Sequence, residues 1–146
     1  MSYEFLNVYS CNDHYKILYK MLAERQFHIS HQTMPEFRSH VEFVASKPYR
    51  TWFFIKYFEE YIGNFYIQED NSIAINIKSD HYENGIQATI KYINTNFSPR
   101  ESVKSKIPKE FFINLPFEDK NYQDVLYKIG LKPAQISYKL NKKSDY

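Results

Sequence analysis

The chain has 146 residues, of which 43% are hydrophobic, 18% aromatic and 25% charged, and its formal net charge is +2. This length and composition exclude a disordered chain and predict one globular domain over residues 1–146. The small net charge argues against a nucleic acid or an anionic membrane as a partner. No apolar run approaches the ~20 residues of a membrane span, and the N-terminus has no signal-peptide pattern, so we expect a cytoplasmic protein.

The single cysteine, Cys11, excludes a disulfide framework and a cysteine-based zinc site. His28 and His31 are three residues apart, but no Asp or Glu accompanies them at the spacing of metal ligands. We therefore expect no metal site in this protein.

Hydrophobic spacing and turn residues predict the secondary structure. In chain order the predicted elements are a strand at 3–9, helices at 12–25 and from a Thr33 cap to 46, strands at 51–57, 63–68 and 72–78, a helix at 85–94, a strand at 111–115, a helix at 119–129 closed by Gly130, and a last strand in which Ile136, Tyr138 and Leu140 alternate with polar residues. This order, β-α-α-β-β-β-α-β-α-β with a hairpin inside it, predicts an α/β (α+β) three-layer sandwich.

The segment from Ile73 to Ile90 is a strand, a turn that contains Gly85, and the start of a helix. The first backbone N–H groups of a helix have no partner within it, and the helix dipole adds positive charge there. Such a turn suits a pyrophosphate group, and glycine lets the backbone approach the ligand closely. The same pattern also arises when a glycine simply ends a turn, so these residues alone leave both interpretations open.

This turn resembles the pyrophosphate-binding motif of the GNAT superfamily of N-acetyltransferases, Gln/Arg-x-x-Gly-x-Gly/Ala. The six motif positions hold Tyr82, Glu83, Asn84, Gly85, Ile86 and Gln87. The central glycine matches, whereas Tyr82 replaces Gln or Arg and Gln87 replaces Gly or Ala. In this family the backbone of the motif holds the pyrophosphate of acetyl-CoA, so the resemblance implies acetyl-CoA as a cosubstrate.

Two further segments resemble the same family at the other two glycines. Residues 61–67, with Gly63, resemble its glycine-containing strand. Residues 119–131 resemble its late helix, Asn-x-x-Ser-x-x-x-Tyr/Phe-x-Lys-x-Gly-Phe. In that helix Lys128 and Gly130 match, Asp119 stands at the Asn position with Asn121 two residues on, Leu126 stands at the aromatic position with Tyr127 beside it, and Leu131 replaces the last Phe.

The N-terminal third, from Asp13 to Arg25 and from Glu36 to Phe43, is similar to a bacterial subgroup of this family. Several members of that subgroup are associated with acetylating amino sugars or sugar nucleotides. The resemblance as a whole implies a GNAT-like sandwich around a mixed, mostly antiparallel sheet with splayed strands. It implies transfer of an acetyl group to a primary amine of a small molecule, such as an amino sugar or sugar nucleotide, by direct attack in a ternary complex.

The resemblance also assigns roles to residues of this chain. A backbone amide near Asn76 and Ile77 would bind the acetyl carbonyl oxygen, and the acetyl-CoA site would further include residues 82–87, Ala88 and Asn121. The family often has a tyrosine as general acid on its last helix, for which Tyr127 is our candidate. His40 is our candidate for the base or for a substrate contact. Each of these two side chains could instead serve only packing or lie at the surface.

Gln87, Asp119 and Leu126 each replace a family residue, and this departure motivates the first of two alternatives. One is a catalytically degenerate protein of the same fold that binds acyl-CoA or a partner. The other is an unrelated α/β interaction module. The aromatic content exceeds what a small core needs, so we also expect a homodimer.

Overall fold

A computed structural model describes residues 2–25, 33–101 and 109–140 of the chain. His28 and His31, considered above as metal ligands, lie outside the described residues. Its strands are β1 (Tyr3–Asn7), β2 (Thr51–Tyr57), β3 (Glu60–Ile67), β4 (Ser72–Ile77) and β5 (Phe112–Ile113). Its helices are α1 (Asn12–Glu24), α2 (Phe37–Ala45), α3 (Gln87–Asn96) and α4 (Lys120–Lys128). None of these helices has the length and apolar character needed to cross a membrane.

Within the described residues the strands form one mixed sheet in the order β1-β2-β3-β4-β5. The first four strands pair antiparallel with their neighbours, and β5 runs parallel to β4. The β3–β4 hairpin turns at residues 68–71, where Asn71 adopts a φ of 73°. The predicted sheet, mixed and mostly antiparallel, is confirmed.

Helices pack on both faces of the sheet because β2 is apolar on both sides. Phe53 and Ile55 face the larger core, to which α3 and α4 contribute. Phe54, between them in sequence, packs with Leu18 of α1 and Val44 of α2. Because successive side chains of a strand point to opposite faces, this apolar run requires a helical layer on each side. The predicted three-layer sandwich is confirmed.

Helix α2 begins at Phe37, so the predicted cap at Thr33 is wrong. A proline disfavours helical backbone in the residue before it, and Pro35 therefore disfavours a helix at Met34. The cap residue of α2 is Glu36, whose backbone is extended (φ −63°, ψ 147°) and whose side chain makes no capping hydrogen bond. Glu36 is therefore itself the cap residue of α2, rather than the partner of a cap at Thr33.

The last predicted strand is absent from the described part of the chain. Residues 131–140 are irregular, and Ile136, Tyr138 and Leu140 are 63%, 90% and 84% exposed. Alternating hydrophobicity produces a strand only where a neighbouring strand supplies backbone hydrogen bonds and a face to cover. Strand β5, at one edge of the sheet, has only two residues and offers too short a ladder.

Candidate active site

The candidate site lies where β4 and β5 separate. The N–H of Asn114 donates to the carbonyl of Ile73 at 2.9 Å, and the pairing register of the two strands ends at Ile73 and Ile113. Pro116 has no N–H with which to extend the ladder, whereas β4 continues to Ile77. A cavity of about 360 Å³ opens between the two chain segments, so the splayed strands implied by the family resemblance are present.

The β3–β4 ladder directs two backbone N–H groups toward this gap. The N–H of Lys78 donates to the carbonyl of Ile62 at 2.9 Å across the ladder. In an antiparallel ladder the bonding direction alternates along the strand, so Asn76 also bonds toward β3, while the N–H groups of Ile75 and Ile77 point to the opposite side. The structure therefore places the Ile77 amide, and not that of Asn76, where an amide donor is predicted.

Gly63 lets β3 approach β4 closely beside the cavity. A Cβ at this position would lie 2.2 Å from the carbonyl oxygen of Asn76 and 2.8 Å from the Cα of Ile77. No side chain fits between these backbones without moving the strands apart. This glycine therefore fixes the position of the strand segment that carries the Ile77 amide.

Strand β4 leads into a turn of two unusual helical segments before α3. Ser79–His81 form a 3-10 turn and Tyr82–Ile86 form a π turn, a rare conformation that is frequent at functional sites. Gly85 is buried in this turn, and a Cβ on it would lie 2.4 Å from Cδ1 of Ile77. Gly85 thus permits close packing of the turn on β4, rather than the close approach to a ligand that the motif predicts.

The turn presents only one predicted cofactor-binding side chain to the cavity, that of Tyr82. Of the others, Gly85 and Ile86 are buried, Ala88 is half-buried, and Glu83, Asn84 and Gln87 are exposed. The long side chain of Gln87 does not line the cavity and does not narrow it. Phosphate binding at this turn would therefore depend on its backbone and on Tyr82.

Tyr82 connects the turn to the beginning of α4. Its hydroxyl donates to Oδ2 of Asp119 at 2.5 Å, and Oδ1 of Asp119 accepts the N–H of Tyr122 at 3.1 Å as the helix cap. Burial, followed by the Asp119 carboxylate, raises the pKa of Tyr82 above its usual range. Two of the departures from the family motifs, Tyr82 and Asp119, are therefore partners in one hydrogen bond.

Tyr122 is a polar group of the cavity that the predictions missed. It lines the cavity and is 3% exposed, and its hydroxyl has no hydrogen-bond partner within the described residues. Burial is the main cause that raises its pKa, while the nearby amide of Ile75 lowers it. A buried hydroxyl without a partner costs about 1–3 kcal/mol, so its position beside the cavity calls for an explanation.

Three further predicted site residues, outside the turn, have side chains that do not line this cavity. His40 is 7% exposed on α2, and its Nε2 donates to the carbonyl of Tyr15 on α1 at 3.2 Å. Tyr127 is 75% exposed because the buried face of α4 is formed by its neighbours at 122, 125 and 126. Asn121 is exposed on the first turn of the same helix.

Two further residues of the cavity wall, Arg25 and Asn64, were also missed. A helical repeat of four would have found Tyr122, because it lies one turn before Leu126, the position that the family fills with an aromatic residue. No comparable signal marks Asn64, whose orientation depends on a contact between strands.

The described residues contain no group of three or more His, Cys, Asp or Glu side chains that could hold a metal ion.

Comparisons with known proteins find similarity in structure but not in sequence. No family model matches the chain, and no curated protein matches it. The fold is similar to the crystal structure of a possible acetyltransferase from Clostridium difficile 630, with a TM-score of 0.57, 9% identity and 99% of both chains covered. It is also similar to an acetyltransferase from Thermus thermophilus, with a TM-score of 0.51, 13% identity, and 66% of this chain and 70% of that chain covered. The chain therefore has the fold of these two proteins, an acetyltransferase and a possible acetyltransferase, in agreement with the fold that its three glycine segments predict.

Proposed function

We propose that this protein is an acetyl-CoA-dependent N-acetyltransferase that acts on a primary amine of a small molecule, such as an amino sugar or sugar nucleotide. The observation that supports this most directly is the gap between β4 and β5, into which the Ile77 amide points. A preorganised N–H at this place can stabilise the negative charge that develops on a carbonyl oxygen during acyl transfer.

The residues around the gap fit a bound acetyl-CoA. The backbone of the Ser79–Ile86 turn and the side chain of Tyr82 would hold its phosphates, as in the family that the turn resembles. When bound, acetyl-CoA supplies a thioester whose carbonyl carbon accepts the amine. The nitrogen–carbon bond forms, the carbon–sulfur bond breaks, and the proton lost by nitrogen neutralises the thiolate through solvent. Most of the rate would come from holding amine and thioester in line.

Tyr122 is our candidate for the group that stabilises the leaving sulfur. A tyrosine phenol is protonated at neutral pH at its ordinary pKa, and burial raises the pKa of Tyr122 further, so its hydroxyl can donate a hydrogen bond to the thiolate. Tyr127, the candidate from the sequence, is directed to solvent from the opposite face of the helix. Tyr122, five residues earlier and on the buried face of α4, therefore replaces Tyr127 as the candidate.

Release of free thiol from acetyl-CoA tests the proposal. The purified protein should release coenzyme A in the presence of a panel of primary amines, including amino sugars, and mass spectrometry should find the acetylated amine. Absence of product from every amine, together with absence of coenzyme A binding, would refute the proposal.

The alternative of a degenerate protein that binds acyl-CoA without catalysis is favoured by one observation. His40 and Tyr127, the two candidate catalytic groups of the sequence, both lie outside the cavity lining. Tight binding of acetyl-CoA without thiol release would support this alternative. The expected homodimer stays a prediction, which sedimentation velocity at micromolar concentration would test.

A further inference from the structure

Arg25 brings an isolated positive charge to the cavity wall. It follows the last residue of α1 with an extended backbone (φ −68°, ψ 132°), and its half-buried side chain lines the cavity. None of the ion pairs found among the described residues includes Arg25. The guanidinium, with five N–H donors and a permanent charge, thus lacks a carboxylate partner in this part of the chain.

The other charged groups of the cavity do not neutralise Arg25. Glu24 and Asp80 are exposed, and neither lies within 4.0 Å of the guanidinium. Asp119 is already bound by Tyr82 and by the Tyr122 amide. The cation Lys78 is paired with a carboxylate outside the cavity, Glu60, at 2.8 Å.

The surroundings of Arg25 are aromatic and poorly hydrated. Tyr49 and Tyr66 stack with ring centroids 3.6 Å apart and an angle of 1° between planes. Burial is the main cause that lowers the pKa of Arg25, since it removes water from the charged form, and these two tyrosines oppose that shift. A guanidinium in such a place binds an anion more strongly than one in bulk water.

Asn64 supplies a second donor on the same wall. It is 6% exposed, and its Oδ1 accepts the indole N–H of Trp52 at 3.1 Å. Because an indole can only donate, the amide oxygen must face Trp52 and the NH₂ group must face the other way. There Nδ2 lies 3.6 Å from Sδ of Met21, which is a weak acceptor. This contact uses one of the two hydrogens of the Asn64 amide.

We propose that Arg25 and Asn64 form a subsite for a carboxylate or phosphate group of the acceptor, so that the preferred acceptor is an amine that also carries an anion. This inference rests on the proposed acetyl transfer and adds the chemical class of the acceptor. Arg25 has no carboxylate partner among the described residues, and the Asn64 amide has only a weak sulfur acceptor, whereas a carboxylate or phosphate supplies strong acceptors and the opposite charge together.

Matched pairs of acceptors test the subsite. O-phosphoethanolamine is compared with ethanolamine, and β-alanine with 3-aminopropanol, so that each pair differs only in the anion. We expect the anionic member to have a kcat/KM about ten- to a hundredfold higher. The better of the two anionic members identifies phosphate or carboxylate as the natural group.

Variants separate the subsite from the rest of the site. Arg25→Gln and Asn64→Asp should remove the preference by raising the KM of the anionic acceptor, while the KM of acetyl-CoA is unchanged. Arg25→Lys, which keeps the charge but loses the forked geometry, should retain part of the preference. Arg38→Gln is the matched control, because Arg38 is an exposed arginine of α2 that pairs with Glu42 and is not part of the cavity wall. Equal melting temperatures verify that each variant folds.

A binding measurement keeps the inference independent of turnover. Titration calorimetry with inorganic phosphate and with acetate should show binding to the wild type and at least a tenfold weaker association with Arg25→Gln. If the anions bind through Arg25 but no amine is acetylated, the subsite stands and the proposed function fails. If amines are acetylated without any preference for anionic members, the function stands and the subsite is wrong. An effect of Arg25→Gln on the KM of acetyl-CoA alone would assign Arg25 to the cofactor phosphates and overturn the inference.

Discussion

At the scale of single residues, Tyr122 gives the sharpest test of the chemistry. Tyr122→Phe removes a buried hydroxyl that has no partner in the described residues, so we expect the free energy of unfolding to stay the same or to rise by about 1 kcal/mol. If the hydroxyl stabilises the leaving sulfur, kcat should fall about a hundredfold with little change in the KM of acetyl-CoA.

Steady-state kinetics and urea unfolding of the same samples separate these two effects. Tyr127→Phe is the matched control, because Tyr127 is on the same helix but exposed. The assignment fails if Tyr122→Phe keeps full activity, or if Tyr127→Phe loses as much.

Gly63 gives a residue-scale test of the architecture. Gly63→Ala places a Cβ 2.2 Å from the Asn76 carbonyl oxygen, and backbone atoms cannot rotate away as a side chain can. We expect a loss of about 1–3 kcal/mol in the free energy of unfolding, measured by urea denaturation. Gly85→Ala should cost less, since its nearest contact is the flexible end of the Ile77 side chain. Equal losses in the two variants would contradict this account.

Local signals in the sequence predict some residues well and others poorly. Gly130 ends α4 as predicted: it has a φ of 97°, and the N–H of Leu131 returns to the carbonyl of Leu126 at 2.9 Å. The position of Tyr127 on the outer face depends on the exact rotation of the helix, which a one-residue shift in motif alignment does not resolve. Asn64 depends on Trp52 of a neighbouring strand, a contact that has no trace in local spacing.

At the scale of elements, the packing of α2 on α1 should depend on pH through His40. Its Nε2 must carry the proton that it donates to the Tyr15 carbonyl, and burial lowers the pKa of the ring below its usual value. The unfolded chain then takes up a proton at a higher pH than the folded chain. Stability should therefore be full above about pH 6.5 and fall as the pH decreases from that value toward the lower pKa of the folded chain.

Urea unfolding at several pH values between about 7 and 5 measures this dependence. His40→Gln keeps a donor for the Tyr15 carbonyl but cannot titrate, so its stability should change less over this range. His14→Gln serves as a control on α1. An unchanged slope in His40→Gln would show that other groups cause the dependence.

Long apolar elements were predictable from the sequence, whereas short edges were not. The run Trp52–Ile55 predicts a central strand because only a layer on each side can bury both of its faces, and the structure agrees. Strand β5 is reduced to two residues, and the alternating segment at 136–140 forms no strand among the described residues. Both cases depend on which neighbour an edge finds, and the sequence pattern of the edge itself does not contain that information.

At the scale of the whole molecule, the turn, the gap and α4 form one binding unit, joined by the bond from Tyr82 to Asp119. A ligand that contacts all three should stabilise the folded state by about 2.7 kcal/mol at a hundred times its dissociation constant. For a domain of this size that corresponds to a rise in melting temperature of roughly 5–11 °C. We expect saturating acetyl-CoA to produce this shift in the wild type and a smaller one in Tyr82→Phe, in which the turn is no longer tied to α4. The same variant should lose little stability without ligand, because Asp119 still caps the helix through the Tyr122 amide. If millimolar acetyl-CoA leaves the melting temperature of the wild type unchanged, neither the enzyme nor the degenerate acyl-CoA-binding protein describes this chain, and a partner-binding protein of the same fold becomes the hypothesis to pursue.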